Sequence, residues 1–215
     1  MTRTSVLIAD DHPLFRRGLR DVIDGSAQFG VVAEVGDGEA AIEAIARLSP
    51  ALAILDLTMP GKDGFAVLAW IADRQPATRA AIMTLHKSRT FVDRAIALGA
   101  LGYLVKDDAE AEVTQCLELM LQDELFVSPA AGTDEPPPPA VAASDDETSG
   151  VARLTPAQRR VLRHLSDYRT SKEIARLLDV SPKTIENHRA NISATLGLRG
   201  INALLRFAVR TRSLL

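Results

Sequence analysis

Short apolar runs alternate with amphipathic stripes over the first 121 residues of the chain. The runs are bounded by turn residues, as β-strands are, and the stripes repeat at the three- to four-residue spacing of an α-helix. The predicted strands are residues 6–9, 31–35, 51–56, 80–84 and 102–106. The predicted helices are residues 14–25, 41–48, 65–71, 91–98 and 109–121. Five strand–helix pairs predict an α/β domain with a parallel sheet. Right-handed crossovers leave few strand orders, and in the order 2-1-3-4-5 the first and third strands flank the switch point.

The third predicted strand runs directly into a carboxylate, Asp56. Residues 51–55 are all apolar, which is typical of a strand buried on both faces. Met59-Pro60-Gly61 then turns the chain. Asp56 is therefore expected at the carboxyl end of a central strand, where open α/β sheets place their chemistry. Within this stretch alone, an acid that merely ends a strand explains the pattern equally well.

Polar residues also follow three other predicted strands. Asp10 and Asp11 follow the first strand, Thr84 ends the fourth, and Lys106 ends the fifth. In the order 2-1-3-4-5 the first and third strands are neighbours, so their carboxyl ends bring the acidic pair close to Asp56. Three acids, a hydroxyl and an ammonium at four strand ends indicate a site rather than chance.

These residue types suit phosphoryl transfer. Clustered carboxylates repel one another unless a cation intervenes, and Mg²⁺ prefers oxygen ligands. Asp56 is then a nucleophile that forms an acyl phosphate. Mg²⁺ and the Lys106 ammonium would offset charge on the transferring group, and Thr84 would hydrogen-bond a phosphoryl oxygen after transfer.

Residues 1–127 resemble the receiver domain of two-component response regulators. The matching residues are Asp10-Asp11, Asp56-Leu-Thr-Met-Pro-Gly-Lys-Asp-Gly64, Thr84 and Gly102-Tyr103-Leu-Val-Lys106. The resemblance implies a flavodoxin-like fold and phosphorylation of Asp56 by a histidine kinase. It implies that Tyr103 changes rotamer together with Thr84. It also implies a Mg²⁺ site made by Asp10 or Asp11, Asp56 and the carbonyl of Thr58.

The net charge of −3 is distributed unevenly. Residues 1–127 hold 12 basic and 19 acidic residues, whereas residues 151–215 hold 13 basic and four acidic ones, a net charge of +9. Residues 128–150 hold five acids, no base and the run Pro136 to Pro139. They have few large apolar side chains to offset the cost of ordering, so they are predicted to be a linker. A basic segment after an acidic body indicates an anionic partner for that segment alone.

Composition narrows the class of protein further. Cys116 is the single cysteine, so neither a disulfide framework nor a thiolate metal site is expected. No apolar run approaches the ~20 residues that cross a bilayer, and the N-terminus does not have the pattern of a signal peptide. We therefore expect a cytoplasmic protein with no membrane partner.

The basic segment has the pattern of a small all-α domain. The expected helices are residues 156–165, 171–178, 182–196 and 201–209. Thr155 with Gln158, and Thr170 with Glu173, form capping boxes at the first two. Two short helices joined by a tight turn indicate a helix-turn-helix, and the positive charge suits DNA phosphates.

Residues 154–209 are similar to the LuxR-type DNA-binding domain. The match rests on Lys172-Glu-Ile-Ala175, Ser181-Pro-Lys-Thr-Ile-Glu-Asn-His-Arg-Ala-Asn-Ile192 and Leu196-Gly-Leu198. The third helix is then the recognition helix. Its candidate DNA-contacting residues are Lys183, Thr184, Glu186, Asn187, Arg189 and Ala190. The resemblance also places dimer contacts on residues 201–209 and near the fourth and fifth strand–helix pairs.

Two features depart from the pattern of the LuxR-type relatives. Asp167-Tyr168-Arg169 stands where these domains usually have a glycine-containing turn. Glu186 stands where many of them have lysine; a carboxylate accepts a hydrogen bond from cytosine N4 but repels phosphate.

Together the two resemblances identify a NarL/FixJ-type response regulator, a transcriptional regulator and not an enzyme. Its expected partners are a sensor histidine kinase, double-stranded DNA and, when phosphorylated, a second copy of the chain. One alternative is a phosphorylation-independent DNA-binding regulator whose receiver serves only for dimerisation. A second is an aspartyl-phosphate phosphatase or phosphotransferase, which would need a general acid beside Asp56, and no such residue stands near it in the sequence.

Overall fold

A computed structural model describes residues 3–74, 77–132, 145–198 and 203–215. The chain forms two compact units, Met1–Glu135 and Pro136–Leu215. Two features of the sequence lie outside the described residues. One is the run Pro136 to Pro139 of the predicted linker, and the other is Ile201, the predicted start of the last helix. No helix in the described part of the chain is both long and apolar enough to span a bilayer.

The first unit is a parallel sheet with helices between its strands. In chain order its elements are β1 (Thr4–Ala9), α1 (Pro13–Gly25), β2 (Phe29–Val35), α2 (Gly38–Leu48), β3 (Leu52–Asp56), α3 (Gly64–Arg74), β4 (Arg79–Thr84), α4 (Arg89–Ala97), β5 (Gly102–Val105), a 3-10 helix (Lys106–Asp108), α5 (Ala109–Leu121) and β6 (Phe126–Val127). The strand order is β2-β1-β3-β4-β5-β6, and every pair is parallel. The predicted fold class and the order of the first five strands are confirmed.

The sequence pattern does not predict the sixth strand. It has two residues, which is too short to show a strand periodicity, and it pairs with Gly102 and Tyr103 of β5. Phe126 is 7% exposed and joins the core beside α5, which explains why the chain returns to the sheet. The segment before it, Gln122 to Glu124, is a turn hydrogen-bonded to the end of α5.

Pairing of β1 with β3 sets the position of the acidic residues. All five residues of β3 are buried, as the apolar run predicts. Ala9 is the register partner of Leu55, so Asp10 and Asp56 each follow by one residue at the same edge of the sheet. Burial of this central strand between helices is the main driving force for the arrangement.

The second unit is helical, as predicted. Its elements are α6 (Asp145–Ala152), α7 (Pro156–Ser166), α8 (Ser171–Leu178), α9 (Pro182–Leu196), α10 (Ala203–Arg210) and a 3-10 helix (Arg212–Leu214). Both capping boxes are present, so the predicted starts of α7 and α8 are confirmed. The structure differs in α6, which begins inside the predicted linker. The reason is local packing, because Val151 is 5% exposed and Gly150 lies against Phe207 and Leu196.

The turn between α7 and α8 dispenses with glycine. Tyr168 adopts the left-handed conformation there, with φ of 60°. A non-glycine residue carries a steric cost in this region. Arg212 packs over the Tyr168 ring at 5.8 Å and lies 3.5 Å from the Asp167 carboxylate, so the turn is held from the C-terminal end of the chain.

Gly102 is a position where the core requires glycine. A Cβ atom there would lie 2.6 Å from both Ala81 Cβ and Cys116 Sγ. We expect Gly102→Ala to lower the free energy of unfolding of the first unit by about 1–3 kcal/mol through overpacking. Urea unfolding, monitored by the fluorescence of Trp70, the only tryptophan, measures this change in the free energy of unfolding.

The matched control is Gly25→Ala at the end of α1. A Cβ atom there meets nothing within 4 Å. This variant should stay within about 1 kcal/mol of the wild type, or be slightly more stable because the unfolded chain loses freedom. Equal stability of the two variants would contradict the packing described for β5.

Candidate functional site

Asp10, Asp56 and Lys106 form a buried ionic cluster at the carboxyl edge of the sheet. Asp10 is fully buried and Asp56 is 2% exposed. Lys106 Nζ lies 2.7 Å from Asp10 Oδ2 and 2.7 Å from Asp56 Oδ2. Two carboxylates from adjacent strands thus share one ammonium group, which relieves the repulsion expected between clustered carboxylates.

The backbone of Lys106 differs from the prediction. Lys106 is predicted to end the fifth strand, whereas β5 ends at Val105 and Lys106 begins a 3-10 helix. This turn leaves the sheet and directs the side chain back toward the carboxylates. The ring of Phe15 on α1 lies 5.0 Å from Nζ and adds a cation–π contact.

Asp11 and His12 complete the rim of the cluster. The Asp11 side chain is 31% exposed, and its Oδ1 lies 2.7 Å from His12 Nδ1. The backbone N–H of His12 donates to Asp10 Oδ1 at 2.8 Å. Potential ligand atoms of Asp10, Asp11, His12 and Asp56 all lie within 4.8 Å of one another. His12 is absent from the predicted site, although its place beside the acidic pair was a signal for it.

The loop after β3 orients the Asp56 carboxylate. The N–H of Thr58 donates to Asp56 Oδ1 at 3.2 Å, and Thr58 itself is exposed. Gly64 begins α3 so close to the strand that a Cβ atom would lie 2.4 Å from the carbonyl oxygen of Asp56. Glycine there lets the loop fold tightly over the strand end. Glu39 fixes the other side of the loop by accepting from the N–H of Lys62 at 3.2 Å.

Burial and charge have opposite effects on the pKa values in the cluster. Burial is the largest effect on Asp56 and raises its pKa, against the hydrogen bond and charge of Lys106, while Asp10 raises it further. Burial lowers the pKa of Lys106, but the hydrogen bonds and charges of Asp10 and Asp56 outweigh it, so the net pKa is raised. Lys106 is therefore held in its charged form.

Thr84 and Tyr103 meet at the loop between β4 and α4. Thr84 is 2% exposed, and its hydroxyl oxygen accepts from the N–H of His86 at 3.2 Å. Tyr103 is fully buried, and its hydroxyl donates to the carbonyl of His86 at 2.8 Å. Burial raises the pKa of the Tyr103 phenol. The backbone of one loop residue, His86, therefore contacts both predicted switch residues. Its ring stacks on Phe91, with the ring centroids 4.7 Å apart.

A second candidate site is the outer face of α9. The side chains of Lys183 and Glu186 are 78% and 52% exposed, and they form an ion pair of 3.1 Å. Asn187 and Ala190 are also exposed, one turn further along the same helix. This face is open and polar, as a surface for DNA requires.

Thr184 and Arg189 are less exposed than the rest of the predicted set. The N–H of Thr184 donates to Ser181 Oγ at the start of α9, so Thr184 takes part in the helix cap. Arg189 is half-buried, and its Nη1 donates to Ser171 Oγ at 2.7 Å. This contact joins α9 to the first residue of α8 and gives Arg189 a part in packing the two helices.

Family models match both units. A model of the response regulator receiver domain matches residues 6–118, and a model of bacterial regulatory proteins of the luxR family matches residues 152–208. The receiver match includes all residues of the ionic cluster, and the luxR-family match includes the α9 surface.

Similar proteins match over most of the chain. It is 31% identical over 213 residues to the probable transcriptional regulatory protein NarL of Mycobacterium tuberculosis H37Rv, with 99% of this chain and 96% of the relative covered. It is 31% identical over 186 residues to the nitrate/nitrite response regulator protein NarL of Escherichia coli K12, with 86% and 85% covered. The solved structure of the Salmonella typhimurium RcsB response regulator superposes with a TM-score of 0.58 at 25% identity, over 96% of this chain and 98% of that one. The chain therefore belongs to the NarL-type response regulators, in which a receiver domain precedes a luxR-family regulatory domain.

Proposed function

We propose that this response regulator controls transcription by binding double-stranded DNA and that phosphorylation of Asp56 by a sensor histidine kinase governs the binding. The observation that carries the proposal is the contact of one buried ammonium, Lys106, with the carboxylates of Asp10 and Asp56. A buried cation beside a nucleophilic carboxylate is placed to offset the charge of an arriving phosphoryl group.

The proposed chemistry is transfer of one phosphoryl group to Asp56. A carboxylate oxygen of Asp56 forms a bond to phosphorus while the bond from phosphorus to the kinase histidine breaks, leaving an acyl phosphate. Lys106 Nζ moves its hydrogen bond from Asp56 to a phosphoryl oxygen and remains paired with Asp10. The N–H of Thr58, which donates to Asp56 Oδ1, is a second donor at the reacting group.

The donor set of the cluster fits Mg²⁺. Its carboxylates come from Asp10, Asp11 and Asp56, they lie close together, and hard cations prefer oxygen ligands. We propose that these residues, with the carbonyl of Thr58, hold the ion. When bound, it supplies positive charge to the transferring phosphoryl group.

The proposed switch is the loop that Thr84 and Tyr103 share. A phosphoryl group on Asp56 offers a strong acceptor to the Thr84 hydroxyl, which at present accepts from the N–H of His86. Engaging it moves the loop toward the site. Tyr103 follows because its hydroxyl is bound to the carbonyl of the same loop residue.

The proposed DNA surface is the exposed face of α9. One recognition helix contacts few base pairs, so specificity requires two copies on adjacent half-sites. We propose a homodimer in the phosphorylated state, in which α10 contributes a contact. Leu204, Leu205, Phe207 and Ala208 are buried within the unit. The dimer surface would therefore be the opposite face, made of Ala203, Arg206, Val209 and Arg210, which is partly exposed. The RcsB structure was determined in a study of conformational change for DNA interaction, which fits this proposal.

The proposed roles of the three segments of the chain follow the predicted domains. Residues 1–127 act as the receiver, 128–150 as the connection and 151–215 as the DNA-binding domain. Because its proposed partner is chromosomal DNA, the proposed place of action is the cytoplasm.

Substitution of Asp56 tests the phosphorylation site. Asp56→Asn keeps the size of the side chain and removes the nucleophile, so incubation with acetyl phosphate and Mg²⁺ should leave its mass unchanged. The wild type, and the control Asp73→Asn at an exposed position of α3, should each gain one phosphoryl group. Labelling of Asp56→Asn at the wild-type level would place the acceptor elsewhere.

Mg²⁺ dependence tests the proposed ligands. Chelation by EDTA should stop labelling of the wild type. Asp11→Asn replaces a charged ligand by a neutral one and should raise the Mg²⁺ concentration at which labelling is half-maximal. Asp21→Asn in α1 removes a charge outside the cluster and should leave that concentration unchanged. Equal values for all three proteins would remove Asp11 from the site.

Three substitutions on α9 separate attraction to phosphate from base recognition. Lys183→Ala should weaken binding to all sequences and reduce the salt slope by about one unit if Lys183 meets a phosphate. Glu186→Gln should tighten binding to random DNA, because it removes a negative charge and frees Lys183. Asn187→Ala should reduce discrimination between operator and random DNA by about 1–3 kcal/mol if its amide contacts a base.

The control for these variants is Arg74→Ala, which removes an exposed positive charge from the receiver unit. Fluorescence anisotropy at several salt concentrations gives both affinity and slope. An equal loss of DNA affinity in Arg74→Ala and Lys183→Ala would show that overall charge, and not the α9 face, governs binding. Equal affinity of phosphorylated and unphosphorylated wild type would favour a receiver that serves only for dimerisation.

A further inference from the structure

The chain that leaves the receiver wraps around the end of β5. Ser128 follows β6 directly and is 1% exposed. Its N–H donates to the carbonyl of Tyr103 at 2.8 Å, and its hydroxyl oxygen accepts from the N–H of Val105 at 2.9 Å. The same hydroxyl donates to the carboxylate of Glu112 on α5. One residue thus satisfies two backbone groups of β5 on the side of the sheet where β6 has ended.

This arrangement fixes the backbone that immediately precedes Lys106. The β5–β6 pairing ends at Tyr103 and Val127, so no further strand residue faces the N–H of Val105. Val105 is fully buried, and an unpaired buried N–H is costly. The Ser128 hydroxyl replaces the missing strand partner. Lys106 is the next residue, and the carboxylate of Glu112 fixes the orientation of the hydroxyl that holds its neighbour.

The same segment also contacts the loop between β4 and α4. Residues 128–132, which we name the exit turn, close on themselves through the N–H of Ala131 and the carbonyl of Ser128 at 2.9 Å. The N–H of Gly132 then donates to the carbonyl of Lys87. Gly132 has φ of 83°, a conformation that glycine adopts without steric cost. Lys87 immediately follows His86, whose carbonyl accepts from the Tyr103 hydroxyl.

The exit turn therefore bridges both elements of the proposed switch. It binds the carbonyl of Tyr103 in β5 and the carbonyl of Lys87 in the β4–α4 loop. When the loop moves toward a phosphoryl group, the carbonyl of Lys87 moves with it. The bond to Gly132 must then break, because Ser128 holds the other end of the exit turn on β5. Gly132 is the last described residue before the chain continues toward the second unit.

We infer that the exit turn couples the receiver to the connecting segment: phosphorylation displaces the β4–α4 loop, changes the Lys87–Gly132 contact and so alters how the chain leaves the receiver. Ser128 is the positioning residue of this device, because it holds the exit turn and the backbone before Lys106 in one geometry. The inference rests on the proposed function, since it requires phosphorylation of Asp56.

Hydrogen–deuterium exchange of the full chain tests the coupling. Exchange is measured with and without acetyl phosphate and Mg²⁺, and intact mass gives the fraction phosphorylated. We expect peptides spanning residues 128–132 to exchange about fivefold faster or more after phosphorylation, the lower end of typical allosteric couplings. Thr84→Ala removes the hydroxyl that draws the loop toward the site, so at an equal phosphorylated fraction its exit turn should exchange as in the unphosphorylated protein.

The hydroxyl of Ser128 is tested separately. Ser128→Ala should speed exchange at Val105 without phosphorylation and slow the labelling of Asp56, and Ser128→Thr, which keeps the hydroxyl, should restore both. Ser149→Ala, an exposed serine of α6, is the control and should match the wild type. Slower labelling that Ser128→Thr does not restore would show that the hydroxyl positions nothing.

The outcomes separate the inference from the proposed function. If Asp56 takes no phosphoryl group, the proposed function is wrong and the inference falls with it. If Asp56 is phosphorylated and the β4–α4 loop changes its exchange while the exit turn does not, the proposed function stands and the coupling is overturned.

Discussion

Two buried carboxylates on neighbouring strands share one lysine ammonium, and the receiver unit depends on this arrangement. Removing a carboxylate from water costs several kcal/mol unless a partner compensates it, and loss of one partner of a buried pair typically costs about 3–5 kcal/mol. Lys106 compensates Asp10 and Asp56 at once, each at 2.7 Å. In the proposed mechanism, a phosphoryl group on Asp56 would bring further negative charge to a place that holds one cation between two acids. The contacts that hold these two carboxylates in the fold are therefore the ones that the proposed modification would change.

Much of this site follows from the sequence because it depends on strand order. A buried apolar run that ends in Asp56, and a second that ends in Asp10, become neighbours in any sheet with the order 2-1-3-4-5. Apolar periodicity, capping boxes and charge likewise predict the helical second unit and its basic character. These features are local in sequence or repeat along it, so a single chain displays them. Lys106 is predicted at the site for the same reason, although its 3-10 backbone is not.

The features that escape prediction depend on packing between distant residues. β6 has only two residues, and it forms because Phe126 joins the buried core beside α5. α6 forms where the composition indicates a linker, because Val151 packs within the helical unit. Arg189 lies on the polar side of α9, as predicted, yet its guanidinium meets Ser171 across the helix pair. No periodicity in the sequence reports a partner 18 residues away.

The α9 face and the contacts around β5 also differ in how amino-acid substitution affects them. On α9 the helix is positioned by its cap and by the buried residues Ile185 and Ile192, so its exposed side chains can change without moving the backbone. Around β5 the contacts of the exit turn to Tyr103 and Lys87 are made by backbone groups, which nearly any sequence supplies. The hydroxyl of Ser128 and the positive-φ glycine Gly132 are the features that mark them in the sequence. The proposed coupling through main-chain hydrogen bonds can persist while the proposed DNA-contacting face changes, because the two depend on different residues.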